Sequence, residues 1–370
     1  MDVWDKIVWV VGYVAVGAVG LQILLSLGLF AYRRLGPRFQ WRGKHVLVTG
    51  GSKGLGREVA ILAARRGASV TILARQPAAL KETLEALEGA RADAGQRFLS
   101  LSCDVTDHAS VVAAVAEARE KTGPLDVTIA CAGAALPGLV TDVASDVFEK
   151  QMRLNYLGTV YAVQVRALLE REKWERNANT RARSAGDDSR HGRWQEARQD
   201  RHRELDHGGV RLCGLRAVRA HQGGSQVYAR AAPRSRVSRI FSCAAYAETL
   251  RNELVPHGIS VHHFLPPTMK TEGLEAENKL KPEITKLIEG TGDLLEPSDC
   301  AKGLFDGIDR GIFHIAVDAL TDLMRVQANG TAPRGNVFFE ALISPIIFIV
   351  LAIVTAFFDN TVKTFKPKNN

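Results

Sequence analysis

At 370 residues and 46% hydrophobic content, the chain is long enough for one large or two ordinary domains and rich enough for a packed core. Its formal charge of +8 is concentrated: between Arg166 and Arg239, 17 Arg and one Lys face nine Asp and Glu, so the remainder carries −1, which argues against a nucleic-acid surface. Five scattered cysteines with no CxxC pair argue against a disulfide framework and against any metal site, and fit a reducing compartment.

The chain opens with an almost uninterrupted apolar run from Ile7 to Tyr32, in which only Gln22 is strongly polar. Its length suffices to cross a bilayer. Arg33, Arg34, Arg38, Arg42 and Lys44 follow it. A secretory signal would carry positive charge before a shorter apolar run, so residues 1–34 are predicted to be an uncleaved anchor with the basic flank in the cytoplasm.

From Lys44 the pattern alternates β and α, and residues 44–330 are predicted to form one α/β domain. The first strand, His45–Thr49, stops at Gly50; Gly54 and Gly56 then lead into a helix over Gly56–Arg66. Glycine lets the backbone turn sharply and approach a ligand, and the first helical turn offers free N–H groups to an anion. The pyrophosphate of a dinucleotide is the expected occupant. Strands are predicted at Ser69–Ala74, Phe98–Cys103 and Leu125–Ala130, with helices at Pro77–Leu87, Ala109–Thr122 and Ala144–Tyr161. Such alternation implies a doubly wound parallel sheet with ligands at the carboxyl ends of its strands.

Regularity fails from Arg166 to about Ala245, where neither a period of two nor one near 3.6 is sustained. It resumes with a helix at Ala247–Leu254 and a strand at Ile259–Leu265, which ends in Pro266-Pro267-Thr268. The charged stretch Thr271–Glu289 reads as a partly helical lid, Ser298–Gly311 as a helix and Phe313–Val317 as the last strand. A second apolar stretch, Val337–Phe358, is broken by Glu340 and Ser344-Pro345; it is long enough to span, while Pro345 near its start leaves a kink into a hairpin open as the alternative. In the basic tail, 359–370, Lys366 and Lys368 match a di-lysine endoplasmic reticulum retrieval signal and equally an ordinary basic flank.

With Thr49-Gly-Gly-Ser-Lys-Gly-Leu-Gly56, Cys103-Asp-Val-Thr106, Cys131-Ala-Gly133 and Asn155-Tyr-Leu-Gly158 in order, the chain resembles the short-chain dehydrogenase/reductase family over roughly residues 44–165 and 246–318. Within that family, the two apolar ends, Ala74-Arg75, Arg153-Leu-Asn-Tyr-Leu-Gly158 and Ala247-Glu-Thr-Leu-Arg251 resemble the branch that reduces 3-keto sphingoid bases. The resemblance implies a Rossmann domain on the cytosolic face of the endoplasmic reticulum membrane. It also implies NADPH-dependent reduction of a long-chain keto sphingoid base, 3-ketosphinganine to sphinganine, with a homo-oligomer left open. Gly50, Ser52, Lys53, Gly54, Leu55 and Gly56 would then cradle the phosphates, and Arg75 would meet the 2′-phosphate where an NAD enzyme carries an acid. Asp104 and Val105 would line the adenine, Ala132, Gly133, Pro267 and Thr268 would complete the cofactor cleft, and Asn155 would serve the proton relay. A membrane-bound reductase of steroids or retinoids and a nucleotide-binding pseudoenzyme remain alternative readings.

Two departures from the family stand out. Ala130 replaces the Asn that usually precedes x-Ala-Gly after the fourth strand. The catalytic Ser and Tyr-x-x-x-Lys are absent: in residues 166–246 the tyrosines are Tyr228 and Tyr246, and four residues later stand Ala232 and Leu250. That chemistry needs the tyrosine hydroxyl to protonate the new alkoxide, the lysine to lower its pKa and the serine to hold the carbonyl. Codons for Val218 to Gly223, read one base later, permit Tyr-x-x-x-Lys, and those for Glu204 to Asp206 permit Ser-Ser; codons from Asp200 to Glu204 permit an apolar Ile-Val-Ile-Val strand. Residues 166–246 are therefore expected to be an out-of-frame or mis-spliced segment standing in place of strand five, with an Arg-rich disordered insertion or a basic nucleic-acid-binding arm as the alternative.

Overall fold

The computed structural model describes residues 3–36, 38–139, 141–166, 210–213, 237–255, 258–289, 294–328 and 333–365. The domain is built on a seven-stranded, all-parallel sheet in the order β3-β2-β1-β4-β5-β6-β7. Its strands are β1 (His45–Thr49), β2 (Ser69–Ala74), β3 (Phe98–Ser102), β4 (Val127–Ala130), β5 (Val210–Cys213), β6 (Ile259–Leu265) and β7 (His314–Ala316). The helices are α1 (Val3–Leu35), α2 (Gly54–Arg65), α3 (Pro77–Gly89), α4 (His108–Thr122) and α5 (Ser145–Met152). After the tract come α6 (Val237–Leu254), α7 (Glu272–Leu280), α8 (Glu283–Glu289), α9 (Pro297–Asp309), α10 (Ala319–Ala328) and α11 (Val337–Thr364).

A parallel strand is covered on both faces, and β1 shows how the sequence achieves this. Val46 and Val48 pack with Val59 and Ala63 of α2 and with Phe305 and Ile308 of α9. Leu47, between them, points the other way, to Leu73, Val111 and Val115. Each such side chain contributes about 2 kcal/mol by leaving water.

One strand was not expected. Val210–Cys213 lies within the irregular tract, yet Val127↔Arg211 and Ile129↔Cys213 join it to β4, and Arg211↔Ser260 joins it to β6. The slot expected to hold an irregular segment is therefore filled, and the sheet is continuous from β4 to β6.

The two apolar ends form single helices, with candidate spans Gly12–Tyr32 at mean hydropathy 2.2 and Val337–Thr364 at 2.7. Of the two readings open at Pro345, the single helix holds, since α11 runs unbroken through it. Pro345 removes one backbone donor, a loss that apolar helices tolerate. The Gln22 side-chain amide donates to the Phe338 carbonyl at 2.5 Å, and Asn336 Nδ2 donates to the Ser26 carbonyl at 2.9 Å, tying α1 to the first turn of α11. Below the sheet, Trp41 anchors the chain leaving α1: its indole N–H donates to Asp309 Oδ1 at 2.8 Å, and its ring lies 4.2 Å from that of Phe305.

Candidate active site

The turn after β1 is held from three directions. The N–H groups of Gly50 and Gly51 both donate to the Leu73 carbonyl, at 2.7 and 3.3 Å. The Thr83 hydroxyl of α3 donates to the Ser52 carbonyl at 3.1 Å. The Ala132 N–H donates to Thr49 Oγ1 at 3.2 Å, fastening the loop after β4 to the end of β1. Three glycines are required here for distinct reasons. Gly50 has φ +68°, and a Cβ on it would meet the Ala132 backbone at 2.7 Å. A Cβ on Gly56 would stand 2.2 Å from the Gly50 carbonyl oxygen. Gly54, at φ +54°, has room, with only Thr271 at 3.4 Å, so its need is conformational. The buried Leu55 pins the first turn of α2 into the core. Lys53, the N-cap residue, makes no side-chain cap, and the first turn of α2 holds no acid, which leaves an uncapped helix N-terminus at the carboxyl edge of the sheet.

Around this turn the predicted cofactor residues fall at the ends of β2, β3, β4 and β6. Arg75 is exposed just past β2, with no ion pair to the described residues. Asp104 Oδ1 accepts from the Thr106 N–H and hydroxyl, both at 2.9 Å, which closes the loop after β3. Val105 is buried, and its side chain packs where a Cβ on Gly158 would come within 2.9 Å. Ala132 and Gly133 are half-buried in the loop after β4. Beyond β6, Pro267 is buried and the Thr268 carbonyl accepts from the Leu295 N–H at 3.1 Å. The chain then passes over the glycine turn, where Lys53 Nζ pairs with Glu272 Oε2 of α7 at 2.7 Å. Sequence reasoning missed that pair, because its partners lie 219 positions apart.

Asn155 sits where α5 widens into a π-turn, Arg153–Leu157. The Gly158 N–H reaches back to the Arg153 carbonyl, and the Thr159 hydroxyl donates to the Asn155 carbonyl at 3.1 Å. This bulge turns the Asn155 amide toward the loop after β4, where Oδ1 accepts from the Ala134 N–H at 3.0 Å and Nδ2 donates to the Ala134 carbonyl at 2.9 Å. A π-turn of this kind is frequently found at functional sites. The amide thus fastens the π-turn to the loop after β4.

The proton donor is missing from the described residues. Tyr246 in α6 lies against the Tyr156 ring, with centroids 5.7 Å apart. Burial pushes its hydroxyl up to about 12, with Tyr156 acting in the same direction. One turn later stands the buried, apolar Leu250, not a lysine. Positions 205, 218 and 222, which the shifted frame assigns to Ser, Tyr and Lys, lie outside the described residues.

A short chain dehydrogenase family model matches residues 44–174. A 3-ketodihydrosphingosine reductase of Dictyostelium discoideum is 29% identical over 90% of this chain and 92% of its own. A 3-dehydrosphinganine reductase of Danio rerio is 31% identical over 70% of this chain and 67% of its own. Among solved structures, a short-chain dehydrogenase/reductase of Serratia marcescens superposes with TM-score 0.54 at 19% identity, covering 76% of this chain and 98% of its own. A variant of actinorhodin polyketide ketoreductase with NADPH gives 0.52 at 21% identity, covering 75% and 95%. These two carry the fold alone. Sequence and sheet order agree, and the chain belongs to the short-chain dehydrogenase/reductase family.

Proposed function

We propose that this protein is by lineage an NADPH-dependent reductase of 3-keto sphingoid bases, acting at the endoplasmic reticulum membrane with its sheet domain in the cytosol. One observation carries the reading: the match to the Dictyostelium reductase extends over 90% of this chain and 92% of that protein. A long-chain ketone resides in the bilayer, and a domain held there by α1 and α11 meets its substrate without passing it through water. If α11 crosses as one helix, the tail beyond residue 365 lies across the bilayer from the domain, and Lys366 and Lys368 do not act as a cytosolic retrieval signal.

The residues fit NADPH. Gly50, Gly54 and Gly56 leave the phosphate cradle without side chains, Ser52 and Lys53 border it, and the exposed Arg75 suits a 2′-phosphate. Bound there, NADPH supplies the hydride. Asp104, Val105, Ala132, Gly133, Pro267 and Thr268 would shape the walls of the cleft, and Asn155 would hold its floor against Ala134. Delivery of a proton to the resulting alkoxide needs a tyrosine acidified by a lysine, and this chain carries neither at the required spacing.

The segment 166–246 is best explained as translated out of frame or mis-spliced. Arg166, its first residue, is 2% exposed, a position where a charged side chain is rare. The reading that competes on an observation of its own is a nucleotide-binding pseudoenzyme, favoured by a complete phosphate cradle beside an incomplete catalytic set. Membranes containing this protein, given 3-ketosphinganine and NADPH, decide between them. The frame-restored chain is expected to form sphinganine and to ignore steroid and retinoid ketones. Preference for the latter would reassign the substrate, and a mature transcript encoding the arginines as written would overturn the frame proposal.

A further inference from the structure

Granted the NADPH cradle proposed above, we propose that Glu272, the first residue of α7, competes with a cofactor phosphate for Lys53. The pair latches the lid to the glycine turn, and occupation of the cradle unlatches it.

The lid leaves the sheet after β6 and returns before α9. Its foot is closed by the Lys270 N–H, which donates to the Leu295 carbonyl at 3.0 Å, and by the Leu295 N–H, which donates to the Thr268 carbonyl at 3.1 Å. Above the foot, Thr271 Oγ1 accepts from the Leu274 N–H at 3.1 Å and so caps α7. The Thr271 methyl is the nearest neighbour, at 3.4 Å, of a Cβ built on Gly54, so the helix starts directly over the turn. None of the nine residues of α7 is buried. Apolar packing does not hold this helix down, and a segment of that kind opens at little cost. Its bond to the turn is the one from Lys53 Nζ to Glu272 Oε2, at 2.7 Å.

Lys53 is the N-cap residue of α2, at the end of the helix that offers its N–H groups to an anion. Its pKa is raised, chiefly by the bond to Glu272 and then by the charges of Glu272 and of Glu82 in α3. Two carboxylates therefore already act on this ammonium, and a cofactor phosphate would be a third anion drawn to it. The Lys53 and Glu272 side chains are 54% and 74% exposed, so water screens their attraction and the pair parts easily. A phosphate that takes Lys53 also gains the backbone donors of α2, which Glu272 does not use. It would in addition repel Glu272 as a like charge. The carboxylate is thus a stand-in for the ligand, and it carries the lid with it.

The test uses the full chain purified in neutral detergent. NADPH dissociation constants are measured by fluorescence for the unsubstituted chain, Glu272→Gln, Lys53→Met, the double variant, and Glu275→Gln. The last removes an equal charge at an exposed position three residues on in α7. Glu272→Gln is expected to bind NADPH about threefold more tightly, the range of an exposed ion pair. Lys53→Met should bind it more weakly, and adding Glu272→Gln to that variant should change nothing further. Hydrogen exchange over residues 271–280 should quicken when NADPH is added to the unsubstituted chain, and should already be fast in Glu272→Gln. Unchanged or weaker NADPH binding by Glu272→Gln overturns the latch, as does slower exchange of α7 under NADPH. An equal gain in Glu275→Gln overturns it too, because the effect would then be one of general charge. Failure of every chain to bind NADPH would instead remove the cradle on which the latch depends.

Discussion

The two halves of this sheet were built under different demands. On the β3-β2-β1-β4 side the chemistry resides in the backbone: a turn with Gly50 at φ +68° and Gly54 at φ +54°, an uncapped helix, and an asparagine amide gripping a loop. On the β5-β6-β7 side it would reside in three side chains, and Val210–Cys213 fills the strand position without supplying them. A strand slot accepts any short extended segment with apolar alternation, because its ladder bonds are backbone bonds. A proton relay accepts only particular side chains at particular places. The fold therefore tolerates a change of sequence that the chemistry does not.

The largest effect expected on the nucleotide side comes from Gly56→Ala. Its Cβ would need to displace the Gly50 carbonyl from 2.2 Å, and a cost of about 3 kcal/mol or more is expected, read as a fall in thermal midpoint and loss of NADPH fluorescence enhancement. Gly54→Ala, where only Thr271 is near, should cost about 1 kcal/mol, from backbone strain alone. Equal effects at the two positions would break the account of why each glycine is needed.

On the other side, His263 of β6 and His314 of β7 form a buried pair, Nδ1 to Nδ1 at 3.0 Å. Burial lowers His263 to about 3 and His314 to about 4. Both are neutral in the folded protein near neutrality, whereas an unfolded histidine takes up its proton near pH 6.5. The unfolded state thus binds about two more protons between pH 6.5 and 4, and stability should fall by about 5 kcal/mol as the pH drops through that window. Denaturation midpoints at pH 7.0 and 4.5 measure it, and a His263→Leu/His314→Leu chain should lose most of the difference.

Asn155→Ala, which removes both bonds to Ala134, should destabilise by about 2 kcal/mol and loosen NADPH binding; Asn155→Asp keeps the acceptor and should recover part of it. Arg75→Glu is the mildest, with no change in stability at this exposed site and about a tenfold loss of NADPH relative to NADH in a binding titration. An unchanged cofactor ratio would remove Arg75 from the 2′-phosphate.

Much of the sheet was legible. The bounds of β1 and β2 in the nucleotide half, and of β6 in the other, coincide with those read from sequence, since a buried parallel strand is a short β-branched run ended by glycine, arginine or proline. The glycine turn was legible because strand, glycines and helix succeed one another at fixed spacing. The β5 strand escaped notice: four residues carrying Arg211 inside an arginine-rich tract give no sustained period. The π-turn at Arg153–Leu157 is helical in composition, and its extra residue shows only in hydrogen bonding. At Pro345 the local rule for proline yielded to the surrounding apolar helix, so α11 continues where the sequence left a hairpin open. Neither the Lys53–Glu272 latch nor the Glu340–Arg325 pair could be read along the chain, because each joins segments through the finished fold.

The most direct measurement follows NADPH binding and sphinganine formation in the same membranes, for the chain as it stands and for one whose codons from residue 166 to 246 are read in the restored frame. The present chain should bind NADPH without turnover, and the restored chain should do both. Sphinganine formed by the present chain at the rate of the restored one would contradict the account.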